Sequence, residues 1–208
     1  MKREGLKMKF IKGLFTLVGA IVVIGFVAAF FTFDLGSRIG QVAKLDSNAL
    51  PEYMKMFDKV LTTGDPAKGM IRKMKMEIPE GMSKKEAADM AVEAMADAAE
   101  MSGTLEKVGF TNMNRGPGAP LTYIVSFCNR GIADKFLRHS GEFIGFMPCR
   151  VGIVEDPESG DLYVYTMSME LMINGGYELS PELLELANGV RSAMYNLVEV
   201  AAKAPSEE

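Results

Sequence analysis

The stretch from Arg150 to Thr166, RVGIVEDPESGDLYVYT, decides the fold. Runs rich in β-branched and aromatic residues, Arg150 to Val154 and Asp161 to Thr166, flank Asp156-Pro157-Glu158-Ser159-Gly160. Proline presets a turn dihedral and glycine supplies positive φ, so the segment reads as a β-hairpin. A hairpin makes its strands antiparallel, and their partners lie further out. Leu121 to Phe127 alternates apolar and polar residues as a third strand, ended by Cys128-Asn129. Met70 to Pro79 alternates too, with Arg72, Met74, Met76 and Ile78 on one side and Lys73, Lys75 and Glu77 on the other.

Two long helices accompany these strands. Ser83-Lys84-Lys85-Glu86 matches a capping box and begins a helix that Gly103 ends. Its expected inner stripe is Ala87, Met90, Ala91, Ala94, Met95, Ala98 and Met101. Ser180-Pro181 begins the last helix, where Leu183, Ala187, Val190, Met194, Leu197 and Ala201 make one apolar face. Gly131 to Leu137 reads as one or two helical turns, and Asn112 to Pro120, with Gly116-Pro117-Gly118, as a loop. Neither long helix can bury its face alone. The expected class is therefore α+β, an antiparallel sheet with packed helices.

A single apolar run precedes this domain. Gly13 to Phe33, GLFTLVGAIVVIGFVAAFFTF, carries no charge. As a helix of about 21 residues it spans ~31 Å, against a bilayer core of ~30 Å. Lys2, Arg3, Lys7, Lys9 and Lys12 stand before it with only Glu4 against them. The positive-inside rule places residues 1–12 in the cytoplasm and residues 34–208 on the outer, periplasmic side of the cytoplasmic membrane. A cleaved signal peptide shares the basic front, but its apolar region is ~7–15 residues long, with a small-x-small site behind it. This run is longer and ends in Phe30, Phe31 and Phe33, with Ala28-Ala29 as a weak cleavage site. The expectation is an uncleaved, single-pass signal-anchor at 13–33 whose partner is the lipid bilayer.

Residues 34–66 follow as a juxtamembrane connector and an amphipathic helix, in which Leu50, Met54, Phe57 and Leu61 recur at helical spacing. That stripe could pack on its own domain, on the membrane or on a partner. The α+β domain is expected over 67–203 and a tail over 204–208. Residues 1–12 carry about +4 and the rest about −8, giving the net −4. An acidic domain without a basic stripe excludes a nucleic-acid partner.

Phe127-Cys128-Asn129 with Ala133 after it, the words Phe146 to Val151 (FMPCRV), and the hairpin VGIVEDPESGDLYVYTMS occur in that order. With them, residues 121–169 resemble the family called domain of unknown function 302, and a looser likeness runs from about Met70 to near Lys203. Two departures are Met167-Ser168-Met169, where many members have a proline-containing turn, and the loop at 103–118. The resemblance implies a compact α+β fold, open to dimerisation, and no particular reaction. Its two signatures nominate Cys128, Asn129, Cys149 and Arg150 as candidate binding residues.

Cys128 ends one strand and Cys149 begins another, so adjacent strands would bring them together. A disulfide closing about 20 residues would stabilise by ~3 kcal/mol. That bridge, two buried thiols and a reactive or metal-binding pair all stay open. The step to Arg150 would favour a thiolate if the guanidinium folds back. Among the 17 methionines, Met54/Met56, Met74/Met76 and Met167/Met169 form M-x-M pairs, with Met172 near the last. Thiolates and thioethers select Cu(I), which makes Cys128, Cys149, Met167 and Met169 candidate metal ligands. The same pattern also fills cores.

His139 is the one histidine, so a histidine-rich metal site is excluded. Glu155, Asp156, Glu158 and Asp161 lack the twelve-residue calcium pattern, and Gly175-Gly176 lacks the context of a phosphate loop. No catalytic set emerges, and no cofactor is expected apart from the Cu(I) option. The leading expectation is a non-enzymatic binding or accessory module at the membrane surface, joined to a protein partner or to its own copies. The alternative is a thiol-redox or Cu(I)-handling protein.

Overall fold

A computed structural model describes residues 2–114, 116 and 118–207. Arg115 and Pro117, inside the expected loop, lie outside the described residues, as do the side chains of residues 2–11, 14 and 35. The chain divides into two compact units, 1–45 and 46–208.

In the first unit, α1 (Lys2–Thr32) is followed by α2 (Leu35–Val42). The basic segment is thus continuous with the apolar run as one helix. Phe15–Thr32 has a mean hydropathy of 2.4 and none of it is buried. Among the described residues, this is the one helix long and apolar enough to cross a membrane, by length and composition. Asp34, at φ 47, separates it from α2. Aspartate is one of the few residues that tolerates this left-handed region.

The second unit contains α3 (Ala49–Thr63), α4 (Pro66–Met70), β1 (Ile71–Lys75), α5 (Lys84–Ser102), β2 (Glu106–Asn112) and β3 (Thr122–Cys128). There follow α6 (Arg130–His139), a 3-10 turn (Gly141–Phe146), β4 (Cys149–Glu155), β5 (Leu162–Met167), α7 (Glu170–Asn174) and α8 (Pro181–Lys203). The strands form one antiparallel sheet in the order β1-β5-β4-β3-β2. The deciding hairpin is β4–β5. Its turn is braced by Asp156, whose Oδ1 accepts the amides of Glu158 and Ser159 at 3.0 and 2.9 Å. Gly160 closes it at φ 71, where a side chain would be strained.

Strand alternation gives the sheet one dry face. Tyr123, Val125, Phe127, Val151, Ile153 and Val164 are buried in the core formed with α5 and α8. All six residues of the expected α8 face are buried. The α5 stripe needs correction. This helix packs against both α8 and the β2 edge, so Ala88, Val92 and Ala99 join the buried arc while Met101 is 81% exposed.

β2 is a strand where the sequence suggested only unmatched loop. Six of its seven residues are exposed, and its register breaks between Lys107 and Gly109, so the one short apolar alternation, Val108 and Phe110, is too brief to mark a strand and leaves both side chains exposed. β1 is shorter than the expected 70–79. Met70 belongs to α4, and the chain leaves the sheet after Met76 N–H donates to Leu162 at 2.9 Å. Beyond α8, Ala204–Ser206 forms a 3-10 turn with Pro205 buried, so the expected tail packs in part.

α3 is held to this unit by one side only. Ala49 is buried, Tyr53 Oη donates to the Gly175 carbonyl at 3.0 Å, and Met56 and Val60 pack closely on Gly69. Leu50, Met54, Phe57 and Leu61 remain exposed, so the unit itself provides no cover for that stripe.

Candidate functional site

β3 and β4 pair with Phe127 opposite Cys149 and Ser126 opposite Arg150. Cys128 is the next residue and the last of β3, so the two cysteines sit on adjacent strands one residue out of register. Both are free thiols, partly buried. Asn129 then turns the chain. Its Oδ1 caps α6 by accepting from Ile132 N–H at 3.1 Å, and its Nδ2 donates to the Thr104 carbonyl at 3.0 Å. One side chain therefore ties the end of β3, the start of α6 and the lead-in to β2. Phe136 on α6 and Phe143 beyond it pack as tilted rings at 5.2 Å, and Phe143 meets Phe146 edge-on at 5.9 Å. A cis Met147–Pro148 peptide leads into β4.

These elements surround a cavity of about 50 Å³. Five sulfur-bearing residues line it: Cys128, Cys149, Met147, Met169 and Met172. Otherwise its wall is Asn129 and apolar side chains, among them Phe127, Phe136, Phe143 and Val190. Burial, and then the nearby Cys128, push the Cys149 thiol up from 9.0 to about 11. It is a neutral thiol at physiological pH. The expected guanidinium effect does not arise, because Arg150 alternates to the other face of β4 and stays exposed.

That other face carries a wider hollow of about 410 Å³, lined by Ile124, Arg150, Gly152, Val154, Tyr165 and Met167, among others. Cys149 and Met169 border both spaces. The M-x-M spacing of Met167 and Met169 does not act as in a strand. β5 ends at Met167, which pairs with Ile71, and Met169 turns inward to begin α7. The structure thus gathers Cys128, Asn129, Cys149 and Met169 around one cavity and places Arg150 and Met167 away from it. Met147, inside the FMPCRV signature, and Met172, beside the last M-x-M pair, join the lining.

A polar cluster fixes the backbone of Met169, and sequence reasoning missed it because its members are far apart in the chain. Tyr195 Oη on α8 accepts from Met169 N–H at 3.0 Å and donates to Glu170 at 2.7 Å. Ser168 Oγ also donates to Glu170, at 2.5 Å, and the Arg72 guanidinium lies 3.8 Å over the Tyr195 ring. Burial pushes the Glu170 carboxyl up, but the hydrogen bonds from Ser168 and Tyr195 and the charge of Arg72 hold it below its ordinary range. The other acids serve as braces. Glu155 pairs with Lys84 and accepts from Leu121 N–H, and Asp161 pairs with Lys75. His139 is exposed at the end of α6.

A model of the family described as domain of unknown function DUF302 matches residues 84–201, more than half of the chain. The chain belongs to the DUF302 family. The DUF302 match takes in both cysteines, Asn129 and the four methionines discussed above, and it begins after β1. A similar solved structure is the crystal structure of uncharacterized conserved protein DUF302 from Bacillus stearothermophilus. It is 11% identical, over 63% of this chain and 97% of that one, with a TM-score of 0.47. No curated protein matches this chain.

Proposed function

We propose that this DUF302 protein is a single-pass membrane protein that displays a binding module on the periplasmic side of the cytoplasmic membrane. The observation that carries the binding reading is the cavity on which Cys128, Asn129, Cys149 and Met169 converge. An empty space of that size in a packed core forgoes roughly 1 kcal/mol, which an occupant would recover. Its apolar, sulfur-rich wall suits a small, soft or apolar ligand over a charged, hydrated one. A thiol-redox role would use Cys149 as a thiolate in the unliganded protein, and its raised pKa weighs against that, whereas a metal ion displaces the thiol proton as it binds.

The membrane part rests on different residues. Phe15–Thr32 is uncharged, apolar and wholly unburied, a surface that lipid would take out of water. The bases before it orient the chain with residues 1–12 inside. The exposed Leu50, Met54, Phe57 and Leu61 support work within an assembly at the membrane surface, with a protein partner or further copies of the chain.

The test is to isolate the full chain from its own membranes in mild detergent, denature it and identify the small molecules and metals released. Ala187, which lines the cavity, is changed to Leu to fill it. A ligand released from the natural chain and reduced in Ala187→Leu, at unchanged circular dichroism, supports the reading. A chain that alkaline carbonate strips from membranes and that releases nothing contradicts it.

A further inference from the structure

We infer that the cavity is a Cu(I) site, held by the thiolates of Cys128 and Cys149 with thioether sulfur from Met147, Met169 and Met172 completing the shell. The inference deepens the binding-module reading and rests on it. Its ground is the donor set. Five sulfur-bearing residues from β3, β4, the segment before β4, and the start of α7 line one small space. Thiolates alone would also suit zinc, but thioether donors beside them favour a soft monovalent ion, and no imidazole or carboxylate among the described residues lines this space to serve zinc or the harder cations. Among the described residues, no group of three or more His, Cys, Asp or Glu could hold a metal.

Size and rigidity point the same way. About 50 Å³ is room enough for a single ion among these residues. The two thiols are held on paired strands, and Asn129 ties down the residue after Cys128 through two hydrogen bonds. Met169 is 3% exposed, and its backbone is fixed by Tyr195 Oη. A metal site gains affinity when its ligands are pre-positioned in this way. Binding involves no electron transfer. Each thiol that ligates gives its proton to solvent, the copper stays Cu(I), and affinity therefore rises with pH.

The test is an anaerobic titration of the detergent-solubilised full chain with Cu(I), in competition with a chromogenic Cu(I) chelator. One Cu(I) per chain is expected. The Cys128→Ser/Cys149→Ser variant should lose more than the ~10–100-fold typical of outer-shell changes, and Met169→Leu/Met172→Leu should fall within that range. Affinity should increase from pH 6 to pH 8. Copper-edge X-ray absorption of the natural chain should show a sulfur-only shell, a readout that does not depend on any variant folding. Equal affinity in the double cysteine variant, tighter binding of Zn(II), or nitrogen and oxygen donors in the shell would each overturn the inference. No Cu(I) binding, with another ligand that Ala187→Leu displaces, overturns the copper and leaves the binding module. No ligand of either kind removes both.

Discussion

Phe127 and Cys149 face each other directly across β3 and β4, and this pairing sets Cys128 and Cys149 one residue apart in register while both open onto one cavity. The register carries the chemistry. Phe127 is fully buried, so the strand cannot slip without moving an aromatic side chain to the wrong face of the sheet. The thiols are thus placed by the hydrophobic core.

The raised pKa of Cys149 predicts a loss of stability in alkali. Its neutral thiol is favoured by the folded state, so its contribution is complete below its ordinary value of 9.0 and is lost as pH rises to about 11. The folded state binds more protons over that window, and the loss sums to ~2–3 kcal/mol. Urea unfolding under reducing conditions should fall more steeply over pH 9–11 for the natural chain than for Cys149→Ala. Parallel curves would contradict the assignment.

Asn129 joins three elements, and its two functions can be separated. Asn129→Ala removes the α6 cap and the bond to Thr104, a cost of roughly 1–3 kcal/mol. Asn129→Asp keeps the capping oxygen and loses only the donor, so it should recover part of the loss. Denaturant midpoints measure both.

Tyr195 and Glu170 predict the acid side. Tyr195→Phe keeps the ring under Arg72 but removes the hydroxyl shared by Met169 and Glu170, and should cost roughly 1–3 kcal/mol. The Glu170 carboxyl is held below its ordinary 4.5, so its stabilisation is present above that value and is lost as pH falls through the lower, folded one. Glu170→Gln should flatten the acid limb of a stability-versus-pH curve; an unchanged limb would refute the role.

The stripe on α3 is exposed, with Leu61 at 68%. Phe57→Ser and Leu61→Asp should therefore change urea stability by no more than about 0.5 kcal/mol. A loss on the scale of a core residue, roughly 2–5 kcal/mol, would show that the stripe is buried within its own chain.

The sequence was most legible where periodicity and burial coincide. The β4–β5 hairpin and the face of α8 are as the pattern implies, because each buries one side and wets the other. α5 was legible as a helix and in the line of its inner stripe, through Ala87, Ala91, Met95 and Ala98, but not in the width of that face, since a neighbouring α8 takes up an arc that periodicity centred on the sheet alone would miss. β2 left only the short alternation of Val108 and Phe110 as a signal, because an exposed edge strand needs no longer apolar pattern. Cys128, Asn129, Cys149 and Met169 were named from sequence, and the sheet register brings them together. Met147 and the Tyr195–Glu170–Arg72 cluster were not legible, because only the turn into β4 and the docking of α8 give those residues their neighbours.

The most direct measurement is native mass spectrometry of the full chain, isolated anaerobically in mild detergent, with free thiols counted before and after reduction. Two free thiols and one bound ligand are expected, the ligand being absent from Cys128→Ser/Cys149→Ser. A mass two hydrogens low, with no free thiol and nothing bound, would contradict this and make the cysteines a structural bridge.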